Sequence, residues 1–213
     1  PPATYTVRLK ATDSDNKTGN ASASFGVRAF AIAVAASVPV LDGIGDDAAY
    51  LACRHPLHIR YASGAPATVR AVIAGSSIYV AMTGMVTGAA SPGDLVSVAF
   101  DADNSGETAA QPGDIRFIAT RDGEFYSARG DGAGAFDVNR LTAGFSVRVA
   151  GDASRWHAEY AIPLVTIGAT AGRIIGMDVS HDWVTSAGDD YHWLSAAFAA
   201  WNRPRDWADV RLG

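Results

Sequence analysis

The chain of 213 residues contains one cysteine, two lysines and three glutamates. The lone Cys53 excludes an internal disulfide and a cysteine-rich zinc site. Stability must therefore come from a buried core, for which this length at 48% hydrophobic content is sufficient. The 17 basic residues are outnumbered by 22 acidic ones and form no cluster, so the net charge of −5 excludes the footprint of a nucleic-acid binder. Long apolar runs are also missing. The longest stretch, 30–40, is rich in alanine, is interrupted by Ser37 and Pro39, and falls well short of the ~20 residues that span a bilayer. No charged segment followed by an apolar run and a cleavage site opens the chain, so any export signal is expected to have been removed or to lie upstream.

Aspartate and arginine are plentiful where glutamate and lysine are scarce: 19 Asp against 3 Glu, and 15 Arg against 2 Lys. Arginine over lysine, with abundant alanine and glycine, matches the coding bias of a GC-rich bacterial genome. Aspartate over glutamate has a physical reading, because Asp stabilises turns through its own backbone while Glu suits helices. An Asp-rich, Gly-rich chain reads as strands and loops.

Alternation supports that reading. Tyr5, Val7, Leu9 and Ala11, then Ala21, Ala23, Phe25 and Val27, alternate with polar residues on either side of the turn-forming stretch 13–20. This predicts a hairpin, which is marginal in water alone and must pair with something. Further strands are expected at 66–74, 77–82, 95–101, 114–120, 144–149, 156–164 and 173–179, with a short helical turn at 46–53. Many short strands punctuated by Gly and Asp predict an all-β, antiparallel β-sandwich of jelly-roll or immunoglobulin-like type, with an N-terminal β-hairpin.

Two resemblances refine this. Thr4-Tyr5-Thr6-Val7-Arg8-Leu9-Lys10-Ala11-Thr12-Asp13-Ser14-Asp15-Asn16 resembles the last two strands of a polycystic-kidney-disease (PKD)-type immunoglobulin-like domain. The second runs through four patches in order. The stretch 38–50, containing Pro39, Leu41-Asp42-Gly43 and Asp46-Asp47-Ala48, resembles the entry motif of family 9 carbohydrate-binding modules. The strand 76–82, the strand and acidic loop 93–106, and Trp156-His157-Ala158-Glu159-Tyr160-Ala161-Ile162-Pro163-Leu164 resemble later motifs of that family, and 201–212 fits its closing strand. The expected organisation is a partial hairpin at 1–30, a linker at 31–37 and a sandwich at 38–213. The resemblance implies a non-catalytic, carbohydrate-binding module, secreted or at the cell surface, in a larger bacterial protein. The superfamily also holds dopamine-monooxygenase-type (DOMON) domains, some of which bind haem, so fold alone does not fix function.

Candidate sites follow. Asp101, Asp103 and Asn104, in a loop closed by Gly106, with Asp114 beyond it, present several oxygens as a Ca²⁺ site would. The twelfth position from Asp101 is Pro112, so this is no EF-hand, and a polar turn is the competing reading. Trp183 and Trp193, with His181, Asp182 and Asp190, combine aromatic faces and hydroxyl partners as a glycan site does. Trp156 and Trp207 are expected in the core. His55 and His58 flank Pro56 and read as a structural pair, and Glu159 reads as a strand residue, since a glycosidase would need a second carboxylate opposite it that the sequence does not place. Met82, Met85 and Met177, the sulfur ligands a haem would need, read as core fillers. The alternative to sugar binding is a structural or adhesive subunit of a surface layer or fibre, self-associating by strand pairing through residues 3–30.

Overall fold

The computed structural model describes residues 3–12, 14–27, 30–61, 65–87, 93–136, 141–183, 189–192 and 203–213. In chain order the strands are β1 (Ala3–Thr12), β2 (Thr18–Val27), β3 (Phe30–Val34), β4 (Leu57–Ile59), β5 (Ala67–Ala74), β6 (Ser77–Val86) and β7 (Asp94–Asp101). They continue as β8 (Ile115–Thr120), β9 (Phe125–Arg129), β10 (Ser146–Gly151), β11 (Arg155–Pro163), β12 (Ile174–Trp183), β13 (Asp189–His192) and β14 (Ala208–Leu212). Among the described residues only short 3-10 turns, at Ala48–Ala52 and Pro204–Asp206, interrupt the β structure.

β1 and β2 pair from Ala3↔Val27 to Thr12↔Thr18 and form a two-stranded sheet of their own. The side chains expected to make this hairpin's apolar face, Tyr5, Val7, Leu9, Phe25 and Val27, lie outside the described residues.

The remaining strands make the sandwich. One face is β10-β11-β6-β5 with β4 on its edge, and the other is β14-β12-β7-β8-β9 with β13 beside β12. The stretch 31–37, which reads as a linker or a continuing strand, begins as strand, and β3 joins the two faces. Phe30 to Ile32 run parallel to β14, while Ala33 and Val34 run parallel to β5. These two pairings are the parallel exceptions to an otherwise antiparallel fold. Ile32 is fully buried between flanking alanines, which anchors this strand to the core.

Each sheet contributes every second residue to one core. Val69, Ala71 and Ile73 of β5, Val80 and Met82 of β6, and Trp156, Ala158, Tyr160 and Ile162 of β11 come from one side. Val96, Val98 and Phe100 of β7, Phe117 of β8, and Ile175, Met177 and Val179 of β12 meet them from the other. Met82, Met85 and Met177 are all core, as is Trp156, and Trp207 is also buried. The Tyr160 hydroxyl donates to the Val96 carbonyl at 2.9 Å, tying the sheets together through the core.

Candidate functional site

The entry loop and the strand glutamate prove to be partners. Glu159 sits on the outer face of β11, fully buried. One carboxylate oxygen accepts the backbone N–H of Gly43 at 2.6 Å and that of Asp42 at 3.1 Å, and the other accepts the Tyr50 hydroxyl at 2.9 Å. Burial pushes the carboxyl up from its ordinary range, and the donors from Gly43 and Tyr50 pull against that. Burial and the facing carboxylate push the Tyr50 phenol up as well. Two glycines permit the close approach. A Cβ on Gly43, at φ +89°, would lie 2.8 Å from the Val149 carbonyl carbon, and one on Gly45, at φ +73°, would lie 2.8 Å from Thr83 Cγ2. The motif residues therefore form a latch that engages both carboxylate oxygens of Glu159.

At the end of the core lies a chain of polar groups. His181 follows Val179 on the inward face of β12 and is completely buried. Its Nε2 lies 2.7 Å from Asp94 Oδ1, and its Nδ1 lies 2.8 Å from the Tyr61 hydroxyl. A carboxylate only accepts, so Nε2 is the donor, and Nδ1 shares a hydrogen bond with the Tyr61 hydroxyl. The Trp156 ring stands edge-on to the imidazole at a centroid distance of 5.7 Å. This corrects the expectation for His181: both ring nitrogens are engaged inside the protein, so the residue is not an outward hydroxyl partner.

The outward residues of β12, β7 and β8 converge instead. Ser97 Oγ and Ser180 Oγ are 2.8 Å apart, and Arg116 Nε donates to Ser97 Oγ at 2.8 Å. Arg116 Nη2 also reaches Ser180 Oγ, and it pairs with the Asp182 carboxylate. The two serines are buried, whereas the side chains of Arg116 and Asp182 retain 12% and 14% exposure at the rim. Asp182 Oδ1 is buried without a hydrogen-bond partner among the described residues. Tyr126, half-buried, stands opposite Ile118 in the β8–β9 ladder and so shares this face. The cluster offers a planar donor, two hydroxyls and an unfilled acceptor, a set suited to hydrogen-bonding a neutral, hydroxyl-rich ligand.

The other candidates are placed as follows. Asp190 stands opposite Asp182 in the β12–β13 ladder, and Trp183 opposite Asp189 and Asp94. The side chains of Trp183 and Asp190, and Trp193 altogether, lie outside the described residues. Arg116, Ser97, Ser180 and Tyr126 were missed by sequence reasoning. The serines could have been found, because the apolar alternation along β12 and β7 turns them outward with Asp182.

In the acidic loop Asp101 ends β7 fully buried. Its carboxylate accepts the N–H of Ser105 at 3.3 Å and that of Gly106 at 3.0 Å. Asp114 accepts the Gln111 N–H at 2.7 Å, and Asn104 donates to Asp209 at 3.2 Å. Asp103 accepts the Ser105 N–H, and donation from Ser105 holds its carboxyl low. Burial pushes Asp101 up, and burial with the neighbouring Asp101, Glu107 and Asp103 charges pushes Asp114 up to about 6. Among the described residues, no three His, Cys, Asp or Glu side chains converge so as to hold a metal ion. A calcium ion here would thus draw most of its six to eight oxygens from backbone carbonyls and water.

No family model matches the chain, and no curated protein matches it. Solved structures do. A family 9 carbohydrate-binding module from Caldicellulosiruptor kristjanssonii in complex with cellotriose aligns with a TM-score of 0.63 at 16% identity, covering 85% of this chain and 93% of that one. Such a module from the same organism in complex with glucose aligns with a TM-score of 0.64 at 18% identity, over 86% and 95% of the two chains. A Bacteroides uniformis protein aligns at 0.57 with 12% identity, over 87% of this chain and 100% of its own. At these identities the likeness establishes the fold: a β-sandwich of the carbohydrate-binding-module kind.

Proposed function

We propose that this chain is a non-catalytic carbohydrate-binding module of a larger extracellular bacterial protein, taking its ligand on the outer face of β7, β8 and β12. The observation that carries the reading is Asp182, whose Oδ1 is left without a partner while the rest of its carboxylate is held by Arg116. A buried acceptor without a partner is costly and is commonly completed by a ligand or water. The structural neighbours with cellotriose and glucose support saccharide as the ligand class. Trp183, Trp193 and Asp190 remain the proposed stacking and hydroxyl partners from the adjoining segment. The test is titration with glucose and cello-oligosaccharides by calorimetry. Arg116→Met should weaken binding about tenfold or more, the worth of one charged hydrogen bond, with the melting curve as the folding control.

Calcium is proposed for the acidic loop, where burial first and then the neighbouring Asp101, Glu107 and Asp103 charges push Asp114 up to about 6, and a divalent cation would offset the repulsive part. A second reading rests on the N-terminal hairpin. Among the described residues neither β1 nor β2 pairs with a strand outside the hairpin, so strand addition between copies would place the chain in a surface layer or fibre. Light scattering of the full chain against one beginning at Phe30, which keeps β3 in the sandwich, separates the two readings. Loss of oligomers on truncation supports assembly, and a monomer in both refutes it.

A further inference from the structure

We infer a second binding site, on the opposite sheet from Arg116 and Asp182, for a saccharide unit that carries a carboxylate, that is, a uronic acid. It goes beyond the reading above in both surface and ligand class. Its floor is the outer face of β5, β6 and β11. Arg70 of β5 stands opposite Ala81 of β6, which stands opposite Glu159 of β11. Thr83, two residues along β6 from Ala81, shares that face. The register shift between Trp156 and Ala158, both core residues, turns His157 outward beside Gly84.

The entry loop makes the facing wall. It touches down at Gly45, where a Cβ would lie 2.8 Å from Thr83 Cγ2 and 3.0 Å from Ala81 Cβ. The latch of Asp42, Gly43 and Tyr50 on Glu159 holds it there, so the wall is set before a ligand arrives. Between wall and floor lies a cavity of about 410 Å³, lined by Arg70, Thr83 and His157 from the sheet and by Ile44, Asp46 and Leu51 from the loop and its turn. That volume falls within the range of small-ligand sites, about 300–1,000 Å³. All six side chains reach solvent: the three on the sheet are half-buried, and the three on the loop are exposed.

The polar groups of these side chains select the ligand. Among the described residues no ion pair or hydrogen bond engages Arg70, Thr83 or Asp46, so the guanidinium and the carboxylate line one cavity without meeting. Asp47 is occupied, accepting the Val40 N–H at 3.0 Å. His157 Nδ1 accepts the Gly84 N–H at 3.1 Å, so the neutral ring carries its proton on Nε2 and offers a donor. A carboxylate answers the planar fork of Arg70 with two parallel hydrogen bonds. A doubly charged phosphate or sulfate would bring its second charge against Asp46 and Asp47. Hydroxyls beside a single carboxylate donate to Asp46 and accept from His157 and Thr83. Ile44 and Leu51, 47% and 77% exposed, offer apolar surface to the C–H side of a sugar ring.

The experiment is calorimetric titration of the full chain with sodium D-glucuronate, its neutral amide D-glucuronamide, and sodium acetate. Wild type, Arg70→Met, Thr83→Val and Arg116→Met are compared, with circular dichroism as the folding control. We expect glucuronate to lose about tenfold or more in affinity in Arg70→Met, and about threefold in Thr83→Val, which keeps the side-chain shape and removes the hydroxyl. Glucuronamide, lacking the charge, should show no such loss in Arg70→Met, and acetate, lacking the hydroxyls, should bind at least tenfold more weakly than glucuronate. Thr83→Val carries the test if Arg70→Met does not fold. Glucuronate binding that falls in Arg116→Met but not in Arg70→Met or Thr83→Val overturns the second site and leaves the reading for β7, β8 and β12 standing. An Arg70-dependent loss in a chain that binds no cello-oligosaccharide supports the second site and refutes that other reading. Acetate bound as tightly as glucuronate, or no glucuronate binding by folded wild type, overturns the inference.

Discussion

Replacing Gly43 by alanine should damage this fold far more than the loss of one hydrogen atom suggests. The residue lies at φ +89°, where a side chain costs about 1–2 kcal/mol. The added Cβ would stand 2.8 Å from the Val149 carbonyl carbon and 3.0 Å from the Ala150 nitrogen, both backbone atoms in a paired strand that cannot swing away. The loop must therefore lift, which pulls the Gly43 N–H from the Glu159 carboxylate it meets at 2.6 Å. A hydrogen bond to a charged group is worth about 1.5–3 kcal/mol. Together these give a loss of about 3–5 kcal/mol, or roughly 10 °C in melting temperature for a domain of this size. Gly75 is the control. It lies at φ +59° with nothing within 4 Å of its virtual Cβ, so Gly75→Ala should cost only the backbone strain of about 1–2 kcal/mol. Thermal and urea melts of both variants decide the matter. If Gly43→Ala melts within two degrees or so of Gly75→Ala, the latch between entry loop and Glu159 contributes nothing and the reasoning fails.

Other expectations follow from the same contacts. Asp114, pushed up to about 6, holds its proton more tightly folded than unfolded, so its contribution is present below about pH 4 and is lost as pH rises through 6. Without added cation, Asp114→Asn should then raise stability at pH 7 by about 1 kcal/mol after allowance for solvent screening, and melts between pH 4 and 8 show whether the variant flattens the profile. Calcium should raise the wild-type melting temperature and leave Asp114→Asn less affected, and a melting curve unmoved by calcium or chelator removes the ion from the account. Tyr160→Phe should cost about 0.5–1.5 kcal/mol by removing the hydrogen bond to the Val96 carbonyl between the sheets, as measured by urea unfolding.

How far the sequence leads depends on the range of the interaction. β5, β7 and β11 are legible because their apolar residues alternate locally, and each begins and ends within two residues of its expected position. β4 and β9, of three and five residues, are too short to show a period. The outer-face cluster is hidden for a different reason: Arg116 meets Asp182 across 66 residues, and Ser97 meets Ser180 across 83. No local pattern announces such pairs. His181 could have been read better. Ile175, Met177 and Val179 place it on the core face by simple alternation, but its partners Tyr61 and Asp94 are 120 and 87 residues away, so nothing nearby signals that a histidine could be satisfied there. The motif resemblance gave Glu159 and the entry loop separately, and only the fold brings them together.

The claim at the centre of the account is that the outer face of β7, β8 and β12 binds saccharide through Arg116 and Asp182. Calorimetric titration of wild type and Arg116→Met with cello-oligosaccharides tests it most directly. The account predicts measurable binding by wild type and a loss of about tenfold or more in a variant that still melts cooperatively. Equal affinity in the two proteins, or no binding of any saccharide by well-folded wild type, would contradict it.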